Sequence, residues 1–295
     1  MSQPRAIYAN STYMVTRRTT QRQFLLRPER DTNDTLKYIL AIGTARYGID
    51  LHAVMVMSNH YHLVLTDPRG QLPAFEQYIN AMSARALNAR YGRFENLWAT
   101  EAPSYVRLIN AEDMLEKSVY ALSNPVKDGL VSHGQDWPGL RMLEPGRYKV
   151  VRPATKFFEC GGMQEVVELR LVPLPLGGPA HAAIRQLREA VAAKEAELRV
   201  EARATGRRYL GAARVLAQQE WNKPRSVEPR YTLSPQVACR NTADRVRVIR
   251  QCKEFVARYR EALRAWIDKA TDVVFPVGTY LLAQRFGVSV EAAPS

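Results

Sequence analysis

Two histidines one residue apart, His60 and His62 in the segment SNHYHLVL, combine residue type and spacing in a way that can do chemistry. On a strand successive side chains alternate, so His60 and His62 share one face and Tyr61 takes the other. Two imidazoles on a common face can hold one divalent ion. The chain has five histidines, and two ordinary imidazoles are an equally good reading of the pair alone. A second cluster lies in VYALSNPVKDGLV, Val119 to Val131. Tyr120 and Asn124 stand i, i+4 on a helix and therefore face one way, and Pro125 directs the chain out of the helix just after Asn124. By itself that spacing is more simply a core tyrosine and a C-terminal asparagine. A phenol of pKa ~10 is a poor nucleophile until its proton is drawn off or its target is polarised. A metal ion can polarise a phosphate. Each cluster supplies what the other lacks.

The surrounding sequence predicts the elements that carry these residues. Ser11–Thr16 is β-rich, and Arg17, Arg18 and Arg22 follow it. Leu36, Ile39, Leu40 and Ile42 predict a helix over 33–47, opened by an Asp31-Thr-Asn cluster. Leu51–Met57 and His60–Leu65 read as strands joined through Ser58-Asn59. Phe75–Tyr91 returns to helical spacing and stops at Gly92. Ser104–Ile109 alternates as a strand, and Asn110 with Asp113 forms a near capping box for a helix over 111–123. The order β-α-β-β-α-β followed by a helix predicts an α+β fold, a ferredoxin-like antiparallel sheet with helices on one face. Residues 1–145 read as that catalytic domain and 146–179 as a Pro- and Gly-rich connector. Residues 180–295 read as a basic, mostly helical C-terminal region. Long helical patterns cover 180–204 and 242–270, the second with a stripe of Ile249, Cys252, Val256, Tyr259, Leu263 and Trp266.

The 42 basic and 29 acidic residues give a formal charge of +13, which favours a polyanionic partner. From Met1 to Val150 there are 18 basic and 14 acidic residues, net +4; from Val151 to Ser295 there are 24 and 15, net +9. Three cysteines without a CxxC pair offer no thiolate metal site and fit a reducing compartment. The first residues lack a signal-peptide apolar run, and no stretch is long enough to span a membrane, so the expected location is the cytoplasm.

SNHYHLVL, followed some sixty residues on by Tyr120-x-x-x-Asn124-Pro125-Val126 and Gly129-Leu130-Val131, closely resembles the REP-associated tyrosine transposases. These are relatives of the single-tyrosine insertion-sequence transposases, within the HUH endonuclease superfamily. The resemblance begins at Thr12–Arg18, like the family's first strand, and runs to about Leu140; a weaker similarity touches 211–218 and 275–287. It implies His60 and His62 as imidazole metal ligands, Asn124 as the third protein ligand, Tyr120 as nucleophile, and Tyr61 as the bulky middle residue of the triplet. It also implies Mg²⁺ or Mn²⁺, a 5′-phosphotyrosine intermediate, and single-stranded DNA, hairpin-forming and REP-like, as partner. The working form would be a monomer or a homodimer. Ser58 departs from the proline common in relatives.

Arg17, Arg18 and Arg22 are candidate phosphate contacts, as are Arg207, Arg208 and Arg225, which interleave with Tyr209, Trp221 and Tyr231. Two readings stand beside the transposase. One is a DNA-binding regulator derived from such an enzyme, with its site unused. The other is a metal hydrolase, which would want acidic ligands where Asp67 is the only carboxylate near the pair.

Overall fold

The computed structural model describes residues 4–159, 162–224, 226 and 235–292. Its first half follows the expected order: β1 (Ser11–Arg18), α1 (Arg30–Tyr47), β2 (Asp50–Val56), β3 (His60–Asp67), α2 (Leu72–Tyr91), β4 (Ser104–Leu108) and α3 (Ala111–Leu122). The four strands lie side by side as β2-β3-β1-β4, every neighbour antiparallel, which is the ferredoxin-like arrangement. A short α4 (Asn124–Lys127) follows α3.

Alternation along β3 splits the protein into two layers. Tyr61, Leu63 and Leu65 point into the larger core with Leu36, Ile39, Phe75 and Ile79 of α1 and α2. Val64 points the other way, into a second core with Met14, Val106 and Leu122. The buried Tyr61 hydroxyl donates to Asn80 Oδ1 at 2.8 Å and packs edge-on against Trp98, 5.5 Å between centroids. Glu76 closes this network, and its burial raises the carboxyl pKa. The network anchors β3 from behind.

After a short β5 (Arg141–Met142), which pairs with β2, the segment expected as a connector supplies β6 (Gly146–Val151), α5 (Lys156–Glu159) and β7 (Val166–Leu171). β6 pairs with β7, and β7 meets the outer side of β2 at Leu51–Leu171, so the sheet widens at that edge. Helix α6 (Ala180–Ala204) then returns across the second face. Its Leu187 and Val191 join the core beneath α3, so both faces of the sheet carry helices. The nearly buried ion pair Arg141–Glu195, at 3.0 Å, docks α6, and Glu195 also accepts from the Gly134 amide. Glu195→Ala leaves Arg141 without its charge partner. It should lower unfolding stability by about 3 kcal/mol, read from urea titration; a loss below about 0.5 kcal/mol would mean that water replaces the partner.

The remaining elements are α7 (Ala212–Leu216), β8 (Val237–Ala238), which pairs parallel to β4, α8 (Thr242–Ile267), β9 (Val274–Phe275), α9 (Leu281–Phe286) and β10 (Ser289–Val290). No described helix is long and apolar enough to cross a membrane.

Local differences from the expectations have physical causes. Helix α1 starts at Arg30, with Asp31 in its first turn rather than before it; an acidic side chain there favours the positive end of the helix dipole. Strand β1 continues through Arg17 and Arg18, because both pair with β3. On α8 the expected stripe is partly buried at Cys252, Val256, Tyr259, Leu263 and Trp266, with Val248 and Phe255 fully buried beside it, while Ile249 is exposed. The capping box of α3 is present as expected.

Candidate active site

The site begins at a tight hairpin. Met57 N donates to His60 O at 2.8 Å, leaving Ser58 and Asn59 at the tip. That tip is tied to the loop after β1, since Thr19 N donates to Asn59 O at 2.9 Å and Asn59 Nδ2 donates to Arg22 O at 3.3 Å. With its amide nitrogen spent there, Asn59 turns Oδ1 to His60 Nδ1 at 2.7 Å. An amide oxygen only accepts, so the proton sits on Nδ1 and the Nε2 lone pair of His60 is left over. His62 Nδ1 meets Thr16 Oγ1 at 2.7 Å, from the paired position on β1.

Both rings lie on the face opposite Tyr61, with centroids 4.9 Å apart. Burial is the main cause that lowers both imidazole pKa values. The charges of Arg18, Arg22 and Lys127 add to it at His60, whose pKa falls to about 4; at His62 the other contributors are His60 and Lys127. Both rings are therefore neutral at pH 7. His62 Nε2 is buried without a hydrogen-bond partner. An orphaned imidazole nitrogen is costly unless something binds it. Nδ1 held and Nε2 free is the state in which histidine ligates metals, so these residues fit a divalent ion. Among the described residues no group of three or more His, Cys, Asp and Glu converges. A third protein ligand for such an ion would be of another residue type.

Tyr120 covers this pair. Its ring stands edge-on to His62, 5.8 Å between centroids, and the residue is 40% exposed. Asn124, 3% exposed, heads α4 one turn further on. The expectation that Pro125 ends the helix needs correcting: Ser123 keeps helical angles, and α4 adds another turn with Pro125 at its start. Proline is tolerated there because first-turn N–H groups have no partner inside the helix. Gly129, at φ +73°, then turns the chain away.

The candidate DNA contacts divide. Arg18 pairs in register with His60 and lies near Glu101 at 3.7 Å. Arg22 donates to Ser226 O at 2.6 Å and to Ser226 Oγ at 2.8 Å. Arg17 is on the other face, where it donates to the Ala99 and Glu101 carbonyls; it is not brought to the site. Arg207 crosses Gly129, with Nε 2.8 Å from where a Cβ would stand. Arg208 is exposed, and Arg225 and Tyr231 lie outside the described residues. The stretch from Arg207 onward borders the site. Leu210 N bonds Gly129 O, Gly211 N bonds Leu130 O, and Phe24 N bonds Asn222 O. Trp221, 63% exposed, sits on this strap. Gly129→Ala strains a left-handed position and pushes Arg207 aside. It should cost about 1–2 kcal/mol, whereas an unchanged melting curve would show that the turn relaxes freely.

Sequence reasoning missed Thr16 and Asn59, which orient the imidazoles, and Lys127, whose Nζ lies 4.4 Å from the Tyr120 ring centroid. Asn59 was detectable as the neighbour of His60, but Thr16 needed the strand register.

Comparison with known proteins adds an independent observation. Residues 8–105 match the family model described as Transposase IS200 like. Over that segment, about a third of the chain, the sequence is similar to IS200-like transposases. The match spans β1 to the start of β4 and includes both histidines; Tyr120 and Asn124 lie beyond it. No curated protein matches the chain. Among solved structures, a REP-associated tyrosine transposase bound to a REP hairpin is 20% identical, covering 47% of this chain and 81% of its own at a TM-score of 0.40. A Deinococcus radiodurans R1 crystal structure, provisionally named a transposase, is 23% identical, covering 36% and 85% at 0.27. The second half of the site, with Tyr120, rests on its geometry beside the IS200-like region.

Proposed function

We propose that the protein is a metal-dependent, single-tyrosine DNA strand transferase, an endonuclease and transposase. In this reading it cuts and rejoins single-stranded DNA at hairpin-bearing, REP-like sequences through a 5′-phosphotyrosine. The observation that carries the reading is the Tyr120 ring against His62, whose Nε2 is buried and unpartnered. His60 and His62 would hold Mg²⁺ or Mn²⁺, with Asn124 as third ligand. When bound, such an ion supplies charge neutralisation at a phosphate.

The residues of the chain do the rest. Tyr120 Oη attacks the phosphorus in line. A P–O bond to the phenol forms, the bond to the 3′ oxygen breaks, the phenol proton passes to solvent and the leaving 3′ oxygen takes one up. A second 3′-hydroxyl reverses the step and releases Tyr120. One phosphodiester is exchanged for another, so no energy-rich cofactor is required. Asn59 keeps His60 in the ligating tautomer, and Thr16 would do the same for His62 by accepting from its Nδ1. Tyr120 stands against His62 of its own chain, which supports action within one subunit.

The deciding experiment incubates the protein with a labelled, hairpin-bearing single strand and Mn²⁺, then looks for a covalent adduct that survives denaturation. An adduct is expected. Tight binding with no adduct would favour the DNA-binding regulator. Replacing Arg207, Arg208 and Arg225 together by Gln should weaken binding to many sequences alike and lower its salt dependence, by about 0.7 in slope for each lost phosphate contact. A variant with the parent's affinity and slope would make those arginines a solvated face.

A further inference from the structure

We infer that Lys127 is a further catalytic residue, whose ammonium binds the DNA phosphate presented to Tyr120; this rests on the transferase reading. Lys127 closes α4, seven residues and two helical turns after Tyr120, so both side chains leave the same side. Its Nζ stands 4.4 Å from the Tyr120 ring centroid, while the residue itself is solvent-exposed.

Three features bear on the role. The ring contact holds a side chain that otherwise has large rotamer freedom, so the ammonium is already placed when DNA arrives. Lys127 also projects its charge onto His60 and His62 together, which puts it on the face where the imidazoles and Tyr120 meet. The nearest carboxylate by sequence, Asp128, is already in the field of Lys127, Arg207 and Arg22 together, so positive charge exceeds negative charge at this rim. A cation repels the divalent ion that the imidazoles would take, and its placement here makes sense only with an anion between them. A phosphodiester is that anion. As Tyr120 attacks, charge builds on the non-bridging oxygens, and a fixed ammonium is worth more there than in the ground state.

The test compares Lys127→Met, which keeps the length and loses the charge, with Lys127→Arg, which keeps the charge. Binding of single-stranded oligothymidylate is measured across KCl concentrations in EDTA, so neither metal nor cutting enters. The Met variant should lose about 0.7 from the log–log salt slope and the Arg variant should keep it. At saturating DNA and Mn²⁺, the single-turnover rate of adduct formation should fall about 100-fold in the Met variant and recover most of the way in the Arg variant. A parental salt slope in Lys127→Met overturns the proposal, as does an unchanged rate at saturation, which would place Lys127 on a distant phosphate. If the parent protein forms no adduct, the transferase reading fails by itself, and the salt slope still decides whether Lys127 holds a phosphate.

Discussion

Tyr120→Phe is expected to abolish the covalent protein–DNA adduct, a loss of more than about 1,000-fold, while leaving the fold and the affinity for single strands in place. The substitution removes one oxygen from a residue that is 40% exposed. The ring that covers His62 and faces Lys127 stays, so the change in stability should lie within about 0.5 kcal/mol. Denaturing gels with a labelled strand give the adduct, and urea titration gives the stability. The obvious substitute nucleophile, Tyr61, is not available. Its hydroxyl is buried beneath α2 on Asn80, on the opposite side of the sheet from the imidazoles. An adduct that persists in Tyr120→Phe would therefore sink the assignment of the site as a whole.

The second large effect concerns the imidazoles. His62→Ala should remove Mn²⁺ binding, followed by titration calorimetry on the protein alone, and reduce cutting by about 100-fold or more. The structure makes the two imidazoles unequal. His62 is 5% exposed beneath the Tyr120 ring, whereas His60 is half-buried. His62→Ala should thus also cost about 2–3 kcal/mol of stability, and His60→Ala less. Thr16→Val separates ligation from packing. It leaves His62 in place and removes the hydroxyl at its Nδ1, so Mn²⁺ affinity should fall about 10-fold with a smaller change in stability. Parental Mn²⁺ affinity in His62→Ala would show that the orphaned Nε2 serves packing alone.

The legible parts of this protein share one property: each is local. Helix α2 stops at Gly92, which takes the left-handed conformation, and α3 starts at the Asn110–Asp113 box. Both depend on a few consecutive residues. The hairpin around Ser58-Asn59 and the period-two split of His60-Tyr61-His62 are equally short-range. The α8 stripe is likewise kept at Cys252, Val256, Tyr259, Leu263 and Trp266, all partly buried, and loses only Ile249 to solvent. Arg17 and Arg18 are adjacent in sequence and chemically alike, yet alternation sends them to opposite faces of β1. Only the registered sheet tells which one shares a face with His62.

What the sequence determined by itself is the set of candidate groups: two imidazoles on one face of a strand, and a phenol and an amide one helical turn apart. Spacing within an element is enough for that, since backbone geometry is fixed over a few residues. The tertiary structure decided which groups meet. It set Tyr120 on His62 across sixty residues of chain and left His62 Nε2 without a partner. It also brought Lys127 over the Tyr120 ring and returned the strap from Arg207 to Gly129. Those contacts depend on how α3 and α6 pack on the second face of the sheet, where apolar side chains such as Leu122, Leu187 and Val191 fix position without announcing it in sequence.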